Sequence, residues 1–280
     1  MTKPASEITL KSEQDKPGKP PTTPDTLFVG SVEKGFRVLK AFLKTMTPLG
    51  ITEIAQITGL DKSAAQRFSN TLHKLGYLEK DPETRRYRPA VGLLDLSFSY
   101  LAQNHLAEIA ITRLIDAGKK YNTTINLCEM IGTDIIYTVR IPHEKSSYVA
   151  TIPGRRIPAF CTSSGTVMMA FMPEYEMQGI VGRSDRTPIT PHTITDIDAV
   201  YARINEARKH GYGIGIHSAL INEISIAAPV LDHTGRAIAA VQIPVYMPAW
   251  SEREARDKIA PLAMETARAI SEPLAARHDG

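Results

Sequence analysis

Residues 59–80 read "GLDKSAAQRFSNTLHKLGYLEK". Ala65, Phe68, Leu72 and Leu75 recur at helical spacing and mark one apolar side. Lys62, Ser63, Gln66, Arg67, Asn70 and Lys74 occupy the other side, and no carboxylate stands between Asp61 and Glu79. An outer face made almost wholly of hydrogen-bond donors is either the solvated side of a helix in a small bundle or a surface for a polyanion. The flanking residues decide between the two.

"ITEIAQITGL" (51–60) predicts a short helix with Thr52 as N-cap and Gly59 as its stop. The tight turn Thr58-Gly59-Leu60 leads into a helix from about Asp61 to Leu75, which Gly76 ends. "YLEK" and "RYRP" then read as two short strands around the turn "DPET". Upstream, "SVEKGFRVLKAFLK" (31–44) places Val32, Phe36, Leu39 and Leu43 on one helical face. This order is a helix-turn-helix followed by a basic hairpin. Its second helix enters a major groove, where Arg pairs with guanine and Gln with adenine. The hairpin, with Arg85, Arg86 and Arg88, reads as a wing that can clamp phosphates or probe the minor groove. A carboxylate on the outer helix face would be repelled by phosphates, which accounts for the skewed composition.

Charge is distributed to match. Residues 28–90 carry eleven Lys and Arg against six Asp and Glu, whereas residues 91–280 carry eighteen against twenty. The basic segment is the one expected to meet nucleic acid. The whole chain of 280 residues, 42% hydrophobic and 22% charged, has a net charge of +3 and room for a second, larger packed domain. Residues 1–27, rich in Pro, Lys, Thr and Ser, read as a disordered tail. No apolar run approaches the roughly 20 residues of a membrane span. The N-terminus lacks the apolar stretch of a secretory signal, so a cytoplasmic protein is expected.

After residue 90 the pattern changes. Residues 91–121 are helical with a break near Asn104, and Leu93, Leu96, Tyr100 and Leu101 form a stripe with no partner inside a small winged domain. "TTINLCEMIGTDIIYTVRI" (123–141) and "ISIAAPVLDHTGRAIAAVQIPV" (224–245) are hairpins, and "SYVATIPGRRIPAF" (147–160) is a strand entering a loop. Helices fall at 162–181, interrupted by Pro173, at 193–211, and at 251–274, where Ser251 and Glu254 form a capping box. Hairpins with helices between them imply an α+β fold with a mainly antiparallel sheet.

Chemistry-bearing motifs are few. "FCTSSGTV" holds Cys161 and Ser164 but is not Gly-x-Ser-x-Gly, and "GYGIG" (211–215) lacks the Gly-Lys-Ser/Thr ending of a phosphate loop and reads as a turn. Cys128 and Cys161 form no Cys-x-x-Cys pair, and His210 and His217 straddle a glycine loop instead of sharing a helix face. No catalytic residue, metal site or cofactor is assigned. Thr162, Ser163 and Ser164 open a helix, where free N–H groups, hydroxyls and the positive helix end make an anion site; the alternative is that one of them only caps the helix. By alternation Ile238, Ala240, Gln242 and Pro244 share a sheet face, on which Gln242 is either solvated or a ligand contact.

The segments "SVEKGFRVLKAFLK", "ITEIAQITGLDKSAAQRFSNTLHKLGYLEKD", "GRRIPAFCTSSGTVMMAF" and "KHGYGIGIHSALINEISIAAPVLDHTGRAIAAVQIPV" together resemble the IclR family of bacterial transcription regulators over about residues 28–275. The resemblance implies a winged helix-turn-helix at 28–90, a linker and dimerisation helix at 91–106, and a GAF-like effector-binding domain at 107–276. It further implies a homodimer or dimer of dimers on operator DNA, repressing or activating catabolic genes in response to a small, often carboxylated metabolite. The effector site is then expected at Thr162, Ser163, Ser164, Ser225 and Gln242, with Met130, Phe160 and Pro244 on its apolar side. Three positions depart from the family pattern: Thr166 stands where Lys is common, His217 and Ser218 replace paired acids, and Gln242 and Pro244 replace two serines. They leave the effector's identity open. The competing readings are an enzyme with an accessory DNA-binding domain and a DNA-binding protein without an effector.

Overall fold

The structure is a computed structural model that describes residues 27–143 and 152–276. The tail expected at 1–27 lies almost wholly outside these residues, as does the start of the strand expected at 147–160. The chain falls into two compact units, one ending at Asp95 and the other beginning at Leu96.

The first unit contains α1 (Gly30–Thr45), α2 (Ile51–Thr58), α3 (Lys62–Lys74), β1 (Leu78–Lys80) and β2 (Tyr87–Pro89). Antiparallel β1 and β2 form the wing, and a bridge between Leu49 and Tyr87 joins the wing to the α1–α2 connection. Val38, Phe42, Leu49, Ile54, Ala65, Leu72, Leu78 and Tyr87 make the core. Gly59, at φ +68°, reverses the chain between α2 and α3 in the left-handed region that L side chains avoid.

Three local expectations fail here. The N-cap of α2 is Gly50, not Thr52; the Glu53 carboxylate accepts its N–H at 2.8 Å. On α1 the buried side is Val38, Ala41 and Phe42, while Val32, Phe36 and Leu43 stay more than half exposed. This helix is apolar on two sides, and periodicity cannot say which one the domain covers. Leu75 is also exposed, and Ser69 takes an inward position on α3.

Helix α4 (Leu93–Gln103) buries none of its residues. Asn104 then stops one helix and caps the next, accepting the Ala107 N–H at 3.1 Å at the start of α5 (His105–Tyr121). The rest of the second unit is β3 (Ile125–Ile131), β4 (Asp134–Ile141), β5 (Arg156–Pro158), a 3-10 turn at Ala159–Cys161, α6 (Ser163–Ala170), α7 (Glu174–Arg183), α8 (Ile197–His210), β6 (Gly213–Ile216), β7 (Glu223–Leu231) and β8 (Ala237–Tyr246). It closes with α9 (Glu252–Glu254), a π turn at Ala255–Ile259, and α10 (Ala260–Ala276).

The six strands form one antiparallel sheet in the order β5-β4-β3-β8-β7-β6. One face packs against α5 and α10 through Leu114, Leu127, Ile226, Val241, Ile243 and Ile270. The other packs against α6, α7 and α8 through Cys128, Tyr137, Ala227, Ala240, Val167, Val181 and Ile204. Helix α6 is buried all round, as a helix between a sheet and other helices must be.

The "GYGIG" segment is a turn only at Gly211 and Tyr212. Gly211 ends α8 at φ +76°, and Gly213–Ile216 is the edge strand β6. Glycine is needed at 213 because a Cβ there would lie 2.5 Å from the Ser163 carbonyl oxygen. The strand therefore approaches the start of α6 backbone to backbone.

Candidate functional site

The outer face of α3 is as the spacing predicts. Asp61 accepts the Ala64 N–H at 2.8 Å and fixes the start of the helix. Lys62, Ser63, Gln66, Arg67, Asn70 and Lys74 are all exposed, and the helix holds no acid in its first turn. The wing is less free than its sequence suggests. Asp81 accepts the Thr84 and Glu83 N–H groups and shapes the turn, and Arg85 takes a left-handed conformation at φ +59°. Arg86 bonds both oxygens of Glu53, at 2.7 and 2.6 Å, and the Pro48 carbonyl at 3.0 Å, while Arg88 bonds Glu79. Arg86 therefore also holds the wing on α2, while its side chain stays 40% exposed.

The second constellation lies where α6 meets the sheet. Thr162, Ser163 and Ser164 are buried at the start of α6, facing Ser225 on β7. Ser163 Oγ lies 2.7 Å from Ser225 Oγ, and Gln242 Nε2 donates to Ser225 Oγ at 2.7 Å. The Asn126 amide in turn donates to Gln242 Oε1. A polar relay thus runs from β3 across β8 and β7 to α6. Gln242 is neither solvated nor isolated; it is the middle of this relay. Asn126 is fully buried, and its Oδ1 has no hydrogen-bond partner among the described residues.

Tyr137, Cys161, Gly215, Ser218, Ala219 and Glu223 complete the wall. The enclosed space is about 10 Å³. That is close to the least that one water needs, so α6 and the sheet must part before a metabolite enters. Larger depressions occur elsewhere on this unit, but they are open and lack such a relay.

Of the predicted effector residues, the structure gathers Ser163, Ser164, Ser225 and Gln242. Thr162 is present, but its hydroxyl accepts the Gly165 N–H and donates to the Ala159 carbonyl, so it serves the helix cap. Phe160, Met130 and Pro244 do not line this cavity; Phe160 is fully buried in the neighbouring core. Met130 lines a separate depression beside α7, and Pro244 lines one beside Trp250. The sequence reading missed Asn126, Tyr137 and Glu223. Glu223 was the most visible of these, because it shares alternation with Ser225 and heads a run that is otherwise apolar.

Electrostatics single out Glu223. Burial raises its carboxyl to about 7, although the Tyr246 hydroxyl and the Arg155 charge pull the other way. Burial likewise pushes Cys128 and Cys161 up to about 12, so neither thiol offers a nucleophilic thiolate. Among the described residues no three His, Cys, Asp or Glu side chains converge as metal ligands.

Glu223 makes stability depend on pH. Its folded-state value lies above the unfolded one, so the folded protein binds the extra proton between about 4.5 and about 7. Stability is therefore lost as pH rises through that window. Glu223→Gln removes the burden and is expected to gain on wild type from pH 5 to pH 8, by on the order of 1–3 kcal/mol. Urea titrations at the two pH values check this; an unchanged difference between the proteins would contradict it.

Comparison with known proteins follows the same division. Residues 31–82 match the IclR helix-turn-helix domain, and residues 98–272 match the C-terminal domain of bacterial transcriptional regulators of the IclR type. The "Pca regulon regulatory protein" of Pseudomonas putida is 28% identical over 253 residues, covering 90% of this chain and 86% of that protein. A transcriptional regulator from Rhodococcus sp. RHA1 superposes with a TM-score of 0.73 at 28% identity, over 88% of this chain and 98% of that one. An IclR homolog from Microbacterium hydrocarbonoxydans, complexed with 4-hydroxybenzoate, has a TM-score of 0.70 over 87% of this chain and 98% of its own. At 20% identity that last likeness is one of fold.

Proposed function

The chain belongs to the IclR family of bacterial transcription regulators, and on that premise we propose that it controls a catabolic operon in response to a small organic acid. Operator DNA is bound by the exposed face of α3, and the acid by the relay at the start of α6. The observation that carries the first half is the absence of any carboxylate from a helix face of six exposed polar residues. The second half rests on a buried polar relay that reaches the start of α6 and in which, among the described residues, the Asn126 oxygen lacks a partner. Native proteins seldom leave such an atom unsatisfied without a reason. The protein acts in the cytoplasm, where its operator is.

The effector's carboxylate sits on the Ser163 and Ser164 hydroxyls and the free N–H groups at the start of α6, where the helix end favours negative charge. It replaces the Ser163–Ser225 bond that holds the walls together. The ring of Tyr137 supplies an apolar surface for the body, which suits an aromatic acid.

Ser163→Ala and Gln242→Leu are expected to weaken effector binding by about 1.5–3 kcal/mol, because each removes a bond to a charged or buried group. DNA binding by the unliganded protein is unchanged. Thr162→Val behaves differently, costing about 1 kcal/mol of stability through the lost cap. A thermal-shift screen against small carboxylic acids finds the ligand, and calorimetry on the variants locates it. If no acid stabilises the protein, the effector half of the proposal fails and a DNA-binding protein without an effector remains.

The protein works as a dimer joined through α4. Leu96, Tyr100 and Leu101 on one side of this helix and Leu94 and Phe98 on the other are all at least 40% exposed, more apolar surface than a monomer keeps in water. A two-fold dimer reads a pseudo-palindromic operator. Replacing Leu93 and Leu96 by Asp is expected to lower both self-association and DNA affinity. Light scattering that gives a monomer for wild type at micromolar concentration, with and without DNA, would sink the idea.

A further inference from the structure

The second unit holds a cation that no acid neutralises. Arg203 lies partly buried on α8. One of its N–H groups donates to the Ile214 carbonyl on β6 at 3.0 Å, and another to the Phe160 carbonyl in the 3-10 turn before α6 at 3.5 Å. Its other N–H groups have no partner among the described residues, and it forms no ion pair with any of them. Burial lowers its pKa, as it does for a cation that leaves water without meeting an acid. Such a charge is costly to hold in a folded protein unless something of opposite sign comes to it.

The guanidinium lines a cleft of about 260 Å³ between α8, β6 and the π turn. The other charges around this cleft are matched. Glu206 is held by His210, with Oε2 3.0 Å from Nε2. Arg256, on the π turn, bonds Glu252 at 2.9 and 2.7 Å and donates to the Tyr212 hydroxyl at 3.2 Å. Because that hydroxyl oxygen accepts, its own proton is left to donate. The π turn is itself a rare form, found most often at functional sites. Unlike the cavity at the start of α6, the cleft has room for a small molecule without any parting of its walls.

We infer that this cleft binds a small oxyanion, the carboxylate or phosphate group of a metabolite, on the Arg203 guanidinium and the Tyr212 hydroxyl, as a second ligand site separate from the effector cavity. An ionised oxygen takes charge-assisted bonds from N–H and O–H donors, and those are the groups left over here. A cation would be repelled by Arg203 and Arg256, and a neutral ligand would leave the unpaired charge as it is. Ala202, Ala207 and Ile214 complete the wall, which suits a short aliphatic body. The two sites lie one residue of backbone apart. The Phe160 and Ile214 carbonyls that Arg203 holds precede Cys161 and Gly215, which line the cavity at the start of α6.

The test is ligand-observed NMR on the full chain, at constant ionic strength, with acetate and inorganic phosphate as probes at millimolar concentration. At least one of them is expected to bind wild type, and the tighter of the two names the group. Arg203→Gln, which loses the charge and keeps a polar side chain, is expected to weaken that binding about tenfold or more, and Tyr212→Phe severalfold. Arg203→Lys keeps part of it. Ser163→Ala, in the effector cavity, leaves it unchanged. Binding that is the same in wild type and Arg203→Gln, or that falls with Ser163→Ala and not with Tyr212→Phe, overturns the inference and leaves the effector proposal standing. If Arg203→Gln fails to fold, Tyr212→Phe decides, since that hydroxyl bonds only Arg256 among the described residues. Failure of both probes to bind wild type also overturns the inference, and Arg203 is then a structural clasp on two carbonyls.

Discussion

Replacing Lys62, Gln66 and Arg67 together by alanine is expected to abolish specific DNA binding without loosening the fold. All three side chains are exposed on α3 and absent from the core that holds the first unit together. Alanine is also a better helix former than any of them, so the helix itself loses nothing. A direct base contact is worth about 1–3 kcal/mol, and a lysine or arginine on a phosphate adds a salt-dependent share. Losing several contacts lowers affinity by more than about a hundredfold even with incomplete additivity. The measurement is binding to a duplex recovered by selection from random sequences, at two salt concentrations, with thermal unfolding as control. Affinity within a few-fold of wild type would falsify the assignment of α3 as the reading helix. A lower melting temperature would show that the face also serves stability.

Gly165→Ala carries the largest stability effect expected in the second unit. A Cβ at this position would lie 2.2 Å from the Ala159 carbonyl oxygen, 2.5 Å from its Cα and 2.6 Å from its carbonyl carbon. These are backbone atoms of a buried 3-10 turn, so no flexible side chain can swing aside. Overpacking of this kind costs about 3 kcal/mol or more, a large part of a typical domain's stability. The strain also pushes the start of α6 off the sheet, so on the proposed reading of this site effector binding fails along with stability. Gly182→Ala is the control, because nothing lies within 4 Å of a Cβ there and the residue sits in α7. It is expected to be neutral or stabilising by up to about 1 kcal/mol. Denaturant titrations of both variants check the pair; equal stability would contradict the packing at Ala159.

What the chain alone determines is whatever depends on neighbours in sequence. Gly59 and Gly76 mark the ends of α2 and α3 because only a glycine takes those left-handed turns cheaply. Asp61 starts α3, and Asn104 both ends one helix and caps the next. The donor-only face of α3 is legible because exposed residues need no partner to define them. The hairpins of the sheet declare themselves by the glycine turns at Gly132 and Gly235, each at positive φ.

Other features depended on contacts between distant segments. Whether Val32 or Val38 faces inward on α1 is settled by what packs against the helix, and both spacings are helical. Residues 213–215 are a strand because β7 pairs with them, and 213 is glycine because the Ser163 carbonyl excludes a Cβ, constraints that residues 211–215 cannot express. The relay from Asn126 through Gln242 and Ser225 to Ser163 joins four elements from across the effector unit. Val139 faces the opposite layer from Ile135 and Tyr137 because the register shifts between Leu127 and Cys128, so simple alternation along β4 misplaces it. Arg86 looked free beside Arg85 until Glu53, thirty-three residues earlier, was seen to hold it. Caps, turns and exposed faces are written locally because their energetics are local. The cavity and its buried acid exist only once the sheet has closed on α6, and there the tertiary structure alone decides.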